Sequence, residues 1–208
     1  TSQVLPGHYL IFSNNGKIEQ KSYWDLKKII KSNRSKGIKN NDLKNQTEVF
    51  LNNSVKEHMI SDVPIGSFLS GGIDSSLITL LMQKNSSKKI KTFNIGFEDK
   101  SLDESSYASK IARHIGTEHY NVIFSNQNII DLVPKLNAIY DEPFADSSQL
   151  PTILLSLITK KKVKVALSGD GGDELFGGYN RYNWAKKINF FYNLPYFIRS
   201  FIGKSLKF

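Results

Sequence analysis

The sequence predicts an α/β fold: a doubly wound parallel sheet with helices on both faces. Three observations carry that prediction. Short β-branched and aromatic runs alternate with stretches of helical periodicity. The segments between strand candidates are long enough to hold a crossover helix. Two strand candidates end in glycine-rich loops, and sheets of this kind bind ligands at the carboxyl ends of their strands.

The elements follow in order along the chain. Tyr9-Leu10-Ile11-Phe12, Asn14-Asn15-Gly16 and the run from Lys17 to Trp24 form a hairpin signal, with Asn-Gly expected to supply the positive φ angles of a tight turn. Residues 27–45 are polar, contain glycine and lack a strong period, so they read as a linker. A long helix is expected from Asp42 or Thr47, with Leu51, Val55 and Met59 on its buried side. Residues 63–69 are an apolar run opened by Pro64 and read as the first strand of the sheet. Asp74 and Ser75 are capping types for the helix that carries Leu77, Ile78, Leu80 and Leu81. Residues 91–97 read as the second strand. Ser101-Leu102-Asp103-Glu104 has the form of a capping box for a helix ending at Gly116. Residues 118–124 give a third strand, 128–140 and 150–159 two helices, and 162–167 a fourth strand.

Length and composition narrow the classes. A chain of 208 residues holds one substantial domain with a small appendage. It has no run of about 18 apolar residues and no charged-then-apolar leader, so a soluble, cytoplasmic protein is expected. With no cysteine, these residues hold no disulfide, no thiolate zinc site and no cysteine nucleophile. The net charge of +9 comes from lysines spread through polar, asparagine-rich stretches. That pattern reads as a solvated surface, not a nucleic-acid groove, and neither nucleic acid nor membrane is an expected partner. The chain opens at Thr1 directly into a strand-like segment, which reads as a piece of a longer protein. His8, His58, His114 and His119 lack metal-ligand spacing. Residues 182–208 set aromatics among lysines, the pattern of a helix awaiting its packing partners or of one lying on a membrane; the former is the expectation.

Two loops carry the chemistry. Phe68-Leu69-Ser70-Gly71-Gly72-Ile73-Asp74-Ser75-Ser76 stands where a strand gives way to a helix. Paired glycines let the backbone approach an anion, and the first-turn N–H groups face it, so the loop suits phosphate oxygens. Asp74 is then available as a magnesium ligand. The segment lacks the Gly-Lys-Ser/Thr of a Walker A loop and the G-x-G-x-x-G of a dinucleotide fold. After the fourth strand comes Ser168-Gly169-Asp170-Gly171-Gly172-Asp173-Glu174-Leu175-Phe176-Gly177-Gly178-Tyr179, where Asp173 can face the same cation as Asp74 across one cleft.

The first loop resembles the pyrophosphate-binding loop of ATP pyrophosphatases, and the two together resemble the synthetase domain of the glutamine-hydrolysing asparagine synthetase family. The family resemblance runs from about Ser61 to about Tyr182. Residues 5–10 and 23–26 look like the tail of that family's glutaminase domain and the join. The resemblance implies an adenine nucleotide α-hydrolase-like sheet and an N-terminal hairpin remnant of the glutaminase domain. It also implies three segments: 1–30 as tail and join, 31–46 as linker, and 47–208 as the synthetase part. The implied reaction uses ATP and Mg2+: a carboxylate, that of aspartate in the namesake enzymes, is adenylated with release of pyrophosphate, and ammonia derived from glutamine displaces AMP to give an amide. Ser70, Gly71, Gly72, Asp74, Ser75 and Ser76 would cradle the pyrophosphate, and Asp74 and Asp173 would hold magnesium. Backbone around Phe68, Leu69 and Ile95, with Ser168 and Gly169, would seat the adenosine. Asp170 would serve formation of the adenylate and receipt of ammonia, and Tyr179 would stand near the reacting carboxylate. A glutaminase domain in cis and a homodimer fit the same resemblance.

The chain departs from that family in three places. The nucleophilic cysteine of the glutaminase is not among these residues, and no lysine here has the context of the one that steadies adenylation. Residues 141–149 carry no arginine where asparagine synthetases meet their amino-acid substrate, and read equally well as a helix start capped by Asp146 and Ser147. Another carboxylate acceptor, such as a sugar acid or a natural product, therefore stays open. So do a tRNA-modifying enzyme with the same first loop and a non-catalytic nucleotide-binding module.

Overall fold

The computed structural model describes residues 3–33, 40–101, 103–142 and 145–205. The chain divides into two compact units, Thr1–Phe50 and Leu51–Phe208.

In the first unit, β1 (His8–Phe12) pairs antiparallel with β2 (Ile18–Ser22), Phe12 standing opposite Ile18. The hairpin is as expected but its turn is not. Gly16 alone takes positive φ, at 79°, and both asparagines keep negative φ. The loop closes through Gly16 N–H to the Ser13 carbonyl (2.9 Å) and Ser13 N–H to the Lys17 carbonyl (3.0 Å), a wider turn that needs only one left-handed residue. The stretch read as a linker holds α1 (Leu26–Asn33). Asp25 starts it by accepting from the N–H groups of Lys27 (2.9 Å) and Lys28 (3.2 Å), and Leu26, Ile29 and Ile30 recur at helical spacing among its lysines. Residues 34–39 of that stretch lie outside the described residues. Helix α2 (Asn40–His58) starts earlier than Asp42 or Thr47.

The second unit is built on a four-stranded parallel sheet. Its strands are β3 (Ile65–Phe68), β4 (Lys91–Phe97), β5 (Glu118–Phe124) and β6 (Val165–Leu167), in the order β5-β4-β3-β6. The bounds of β4 and β5 are those the sequence predicts. The fourth strand is shorter than 162–167, because Lys162 and Val163 donate back to Thr159 (2.9 and 3.0 Å) and finish the preceding helix.

Side-chain alternation divides the core between the two faces. Ile65 and Leu167 join Val55 of α2, Leu81 and Met82 of α3 (Ile73–Lys84), and Ile90. On the same face the Ser67 and Thr79 hydroxyls, both fully buried, share a 2.8 Å hydrogen bond that ties α3 to β3. Leu69 meets Ala108 and Ala112 of α4 (Ser105–Ile115), which ends at Gly116 in the left-handed region. Opposite, Ile95 and Phe124 cover Leu132, Ile153 and Leu154. The last two belong to α7 (Gln149–Thr159).

Where one helix was expected over 128–140, the chain forms α5 (Asn126–Ile130), a 3-10 turn at Val133–Lys135 and α6 (Leu136–Ile139). Pro134 in that turn lacks the N–H that a continuous helix would need. The expected box at residues 101–104 is replaced as well. Asp99 takes the N–H and hydroxyl of Ser101, and Asp103 accepts from the N–H (3.0 Å) and hydroxyl (2.9 Å) of Ser105; Leu102 lies outside the described residues. Likewise Asp146 accepts from the N–H and hydroxyl of Ser148, and α7 begins only at Gln149. Beyond the second loop come α8 (Gly172–Phe176), α9 (Asn180–Tyr192) and α10 (Tyr196–Ser205). Among the described residues no helix is long and apolar enough to cross a membrane.

His119 on β5 is half-buried, its Nδ1 lying 2.9 Å from the Thr92 hydroxyl and its Nε2 without a hydrogen-bond partner among the described residues. Burial disfavours the imidazolium and holds its pKa below the usual 6.5. The unfolded chain therefore binds this proton more readily, so the histidine's contribution to stability is complete above 6.5 and is lost as pH falls below it. Urea denaturation of the protein from about pH 8 to about pH 5 is expected to show a falling midpoint, and His119→Gln is expected to flatten that slope.

Candidate active site

The strand order places the site. The chain runs outward from β3 through β4 to β5, then returns to lay β6 on the other flank of β3. Connections leaving β3 and β6 thus diverge, and a crevice opens between them at their carboxyl ends. The loops Leu69–Gly72 and Ser168–Gly171 leave at that crevice.

The first loop is folded on its own serines. The Ser70 and Ser75 hydroxyls are 2.9 Å apart, the Ser75 oxygen also accepts from Ser70 N–H (3.3 Å), and the Ser70 oxygen accepts from Gly72 N–H (3.2 Å). Gly72 is the N-cap of α3, so Asp74 and Ser75 sit in its first turn and not at the cap as expected. A helix leaves its first N–H groups without intrahelical partners, and here they meet the crevice. Gly71 has φ of 91°. A Cβ there would stand 2.8 Å from the Ala108 nitrogen, so the turn is pressed against α4.

The second loop comes close enough to the first that side chains would not fit between them. A Cβ on Gly169 would lie 2.6 Å from the Ser75 nitrogen and 2.8 Å from the Asp74 carbonyl carbon. One on Gly172 would lie 2.6 Å from the Asp74 carboxylate. The residue after Gly172 is Asp173, so the two aspartates lie on segments in direct contact. Gly178 packs on the Asp173 carboxylate, and its N–H donates to the Asp173 carbonyl (3.0 Å).

One cleft of about 790 Å3 gathers Phe68, Leu69, Ser70, Gly72, Asp74, Ser75, Ile95, Ser168, Gly169, Asp170 and Asp173, eleven of the residues singled out from sequence. That volume lies within the range of small-molecule and cofactor sites. Gly71, Ser76 and Tyr179 stand outside its wall. Gly71 faces α4, Ser76 Oγ is buried without a hydrogen-bond partner among the described residues, and the Tyr179 hydroxyl donates to Glu174 (2.7 Å). That bond holds the Glu174 carboxyl below its usual range and pushes the Tyr179 phenol up. The Arg181 guanidinium stacks 4.0 Å from the Tyr179 ring centroid. Leu69 contributes backbone only. Its side chain is in the core, its N–H donates to Phe93 (2.9 Å), and its carbonyl accepts from Asn94 Nδ2 (2.9 Å).

The wall also contains residues that sequence reasoning missed: Asn94 and Phe97 of β4, Glu104 at the start of α4, Pro151, Thr152 and Leu155 of α7, and Phe176. Asn94 had a signal, being the one polar side chain in the otherwise apolar run 93–97. It is buried, and its Oδ1 has no hydrogen-bond partner among the described residues. Four carboxylates line the cleft, from Asp74, Glu104, Asp170 and Asp173, and none of the lining residues is Lys, Arg or His. Among the described residues no three His, Cys, Asp or Glu side chains gather as a metal cage.

The asparagine synthase family profile matches residues 46–206. The chain belongs to the asparagine synthase family. A Methanocaldococcus jannaschii chain named among the glutamine-hydrolysing asparagine synthetases is 36% identical over 94% of this chain. The glutamine-hydrolysing asparagine synthetase 1 of Bacillus subtilis is 36% identical over 93% of it. This chain spans 40% and 30% of the lengths of those two relatives. Among solved structures, an NH3-dependent NAD synthetase from Campylobacter jejuni, bound to nitrate, is similar to 65% of this chain and 60% of its own, with a TM-score of 0.46 and 18% identity.

Because the clash at Gly169 is with backbone, neither side can yield by rotating a side chain. Gly169→Ala is expected to lower stability by about 1–3 kcal/mol in urea denaturation. A midpoint equal to wild type would show that the loops are not in contact.

Proposed function

We propose that the protein is an ATP-dependent, amide-forming ligase that adenylates the side-chain carboxylate of aspartate and transfers ammonia to it, giving asparagine, AMP and pyrophosphate. The observation that carries this reading is the meeting of Asp74 and Asp173, with both glycine loops, in one cleft at the switch point of the sheet. Family membership and the names of the relatives support the substrate.

The donor set fits magnesium that arrives with the nucleotide. Such an ion is held by one or two carboxylates plus phosphate oxygens and needs no larger protein cage. A cleft walled by carboxylates, with no cation among its described lining residues, repels a bare polyphosphate. Asp74 and Asp173 would hold the ion, and when bound it supplies charge neutralisation on the phosphate oxygens.

This chain's own residues then bind and orient. Gly71 and Gly72 let the backbone approach the β- and γ-phosphates, while Ser70, Ser75 and the first turn of α3 offer donors to them; Ser76, its Oγ buried and its N–H given to the Gly72 carbonyl, backs the turn instead. The backbone of Phe68, Leu69 and Ile95, with Ser168 and Gly169, holds the adenosine between β4 and β6. In-line alignment of the acceptor carboxylate with the α-phosphorus is the larger part of the rate enhancement, because the adenylate formed is a good leaving group. Asp170, whose carboxylate accepts from the Ser168 hydroxyl at 2.9 Å, would take the proton that the attacking ammonia loses as the C–N bond forms and AMP departs. Tyr179, anchored by Glu174, borders the acceptor side.

In this reading residues 1–30 are the tail of a glutaminase domain, 31–46 a connection and 47–208 the first part of the synthetase domain. Ammonia comes from glutamine in cis, and the protein works in the cytoplasm as a homodimer.

Pyrophosphate release by the full-length protein, given MgATP, aspartate and ammonia, tests the reading. Asp74→Ala and Asp173→Ala are each expected to lower turnover by about 100-fold or more with the circular dichroism spectrum unchanged. Unaltered turnover in either would refute the shared metal site, and absence of aspartate-dependent release in the wild type would refute the substrate.

A further inference from the structure

Glu104 is the carboxylate in the cleft wall that the reaction above does not use. It comes from the connection between β4 and α4, on the flank of β3 opposite the β6 loop, and lines the same cleft as Asn94, Ile95 and Phe97. As the N-cap of α4 it would ordinarily cap its own helix. It does not: its side chain makes no cap bond, and Asp103 takes the Ser105 N–H and hydroxyl instead. Within the described residues no hydrogen bond or ion pair engages the Glu104 carboxylate. Its backbone carbonyl, by contrast, accepts from the N–H groups of Tyr107 (3.0 Å) and Ala108 (3.2 Å), so the residue's place is fixed while its acid remains available.

In the binding mode proposed above, the nucleoside lies against β4, on the flank from which Glu104 comes. An ionised carboxylate only accepts hydrogen bonds, and with two oxygens it matches a pair of neighbouring hydroxyls. It also repels phosphate, so it favours the orientation that sends the polyphosphate toward the β3 and β6 loops. We propose that Glu104 accepts hydrogen bonds from the ribose hydroxyls of the bound nucleotide and so makes the site selective for ribonucleotide over deoxyribonucleotide. The inference rests on the proposed binding of ATP in this cleft and adds the determinant of sugar selectivity. The same logic operates where an acidic residue beyond the second strand of a dinucleotide-binding sheet reads a ribose hydroxyl.

The test is calorimetric titration of the full-length protein with MgATP, Mg-2′-deoxyATP and Mg-3′-deoxyATP, for wild type and Glu104→Ala. Wild type is expected to bind ATP about 10-fold or more tightly than at least one of the deoxynucleotides, the range expected for a hydrogen bond to a charged group. Glu104→Ala is expected to lose about that factor for ATP, change less than about 2-fold for that deoxynucleotide, and so abolish the preference. Glu104→Gln, which keeps one acceptor oxygen, is expected to retain a reduced preference. Equal weakening of all three nucleotides, as a structural role would produce, overturns the proposal, and so does a preference that survives Glu104→Ala. Neither result touches the binding of MgATP by the wild type, on which the underlying reading stands. Failure of wild type to bind MgATP at all overturns the underlying reading as well.

Discussion

Everything at the site depends on two backbones approaching more closely than side chains permit. Gly169 and Gly172 lie against the first turn of α3, where an added Cβ would come within 2.6 Å of the Ser75 nitrogen or the Asp74 carboxylate. Glycine is required there for its missing Cβ more than for unusual dihedral angles, since neither residue takes positive φ. That approach brings two carboxylates from distant parts of the chain to one cleft. Lined by four acids and, among its described residues, no cation, the cleft is poorly suited to a free anion and well suited to one that carries a divalent ion with it.

The surroundings hold this geometry from behind. The buried Ser67–Thr79 bond fixes α3 on β3, and Asn94 holds the Leu69 carbonyl at the point where β3 becomes the phosphate loop. The amide oxygen of that side chain, Oδ1, is buried at the cleft wall with no hydrogen-bond partner among the described residues. On the next connection, Asp103 takes over the start of α4 and frees Glu104. Sheet order, loop contact and helix starts thus converge on one crevice.

Much of this was legible in the sequence, for identifiable reasons. The strands at residues 91–97 and 118–124 have matching bounds because β-branched and aromatic residues make up most of each run and clear turn signals flank them. The two loops were readable because glycine and carboxylate at a strand end have few other uses. Local competition defeated the reading elsewhere. Serine hydroxyls near 101 and 146–148 bond to the nearest aspartate and not to the helix start, and Pro134 breaks a segment whose apolar spacing alone suggests one helix. Helix α1 was hidden by lysines that mask its apolar spacing. Glu104 and Asn94 belong to the cleft only through the juxtaposition of β4 with β3, a tertiary fact that no spacing in the sequence encodes.

The central claim is that Asp74 and Asp173 serve one divalent ion on one nucleotide. A crystal structure of the full-length protein with ATP and Mn2+ in place of Mg2+ tests it most directly. The account predicts a single anomalous peak in contact with both carboxylates, with phosphate oxygens over Ser70 to Gly72. A peak that touches only one of the two aspartates, or a nucleotide seated away from the β3–β6 crevice, would contradict it.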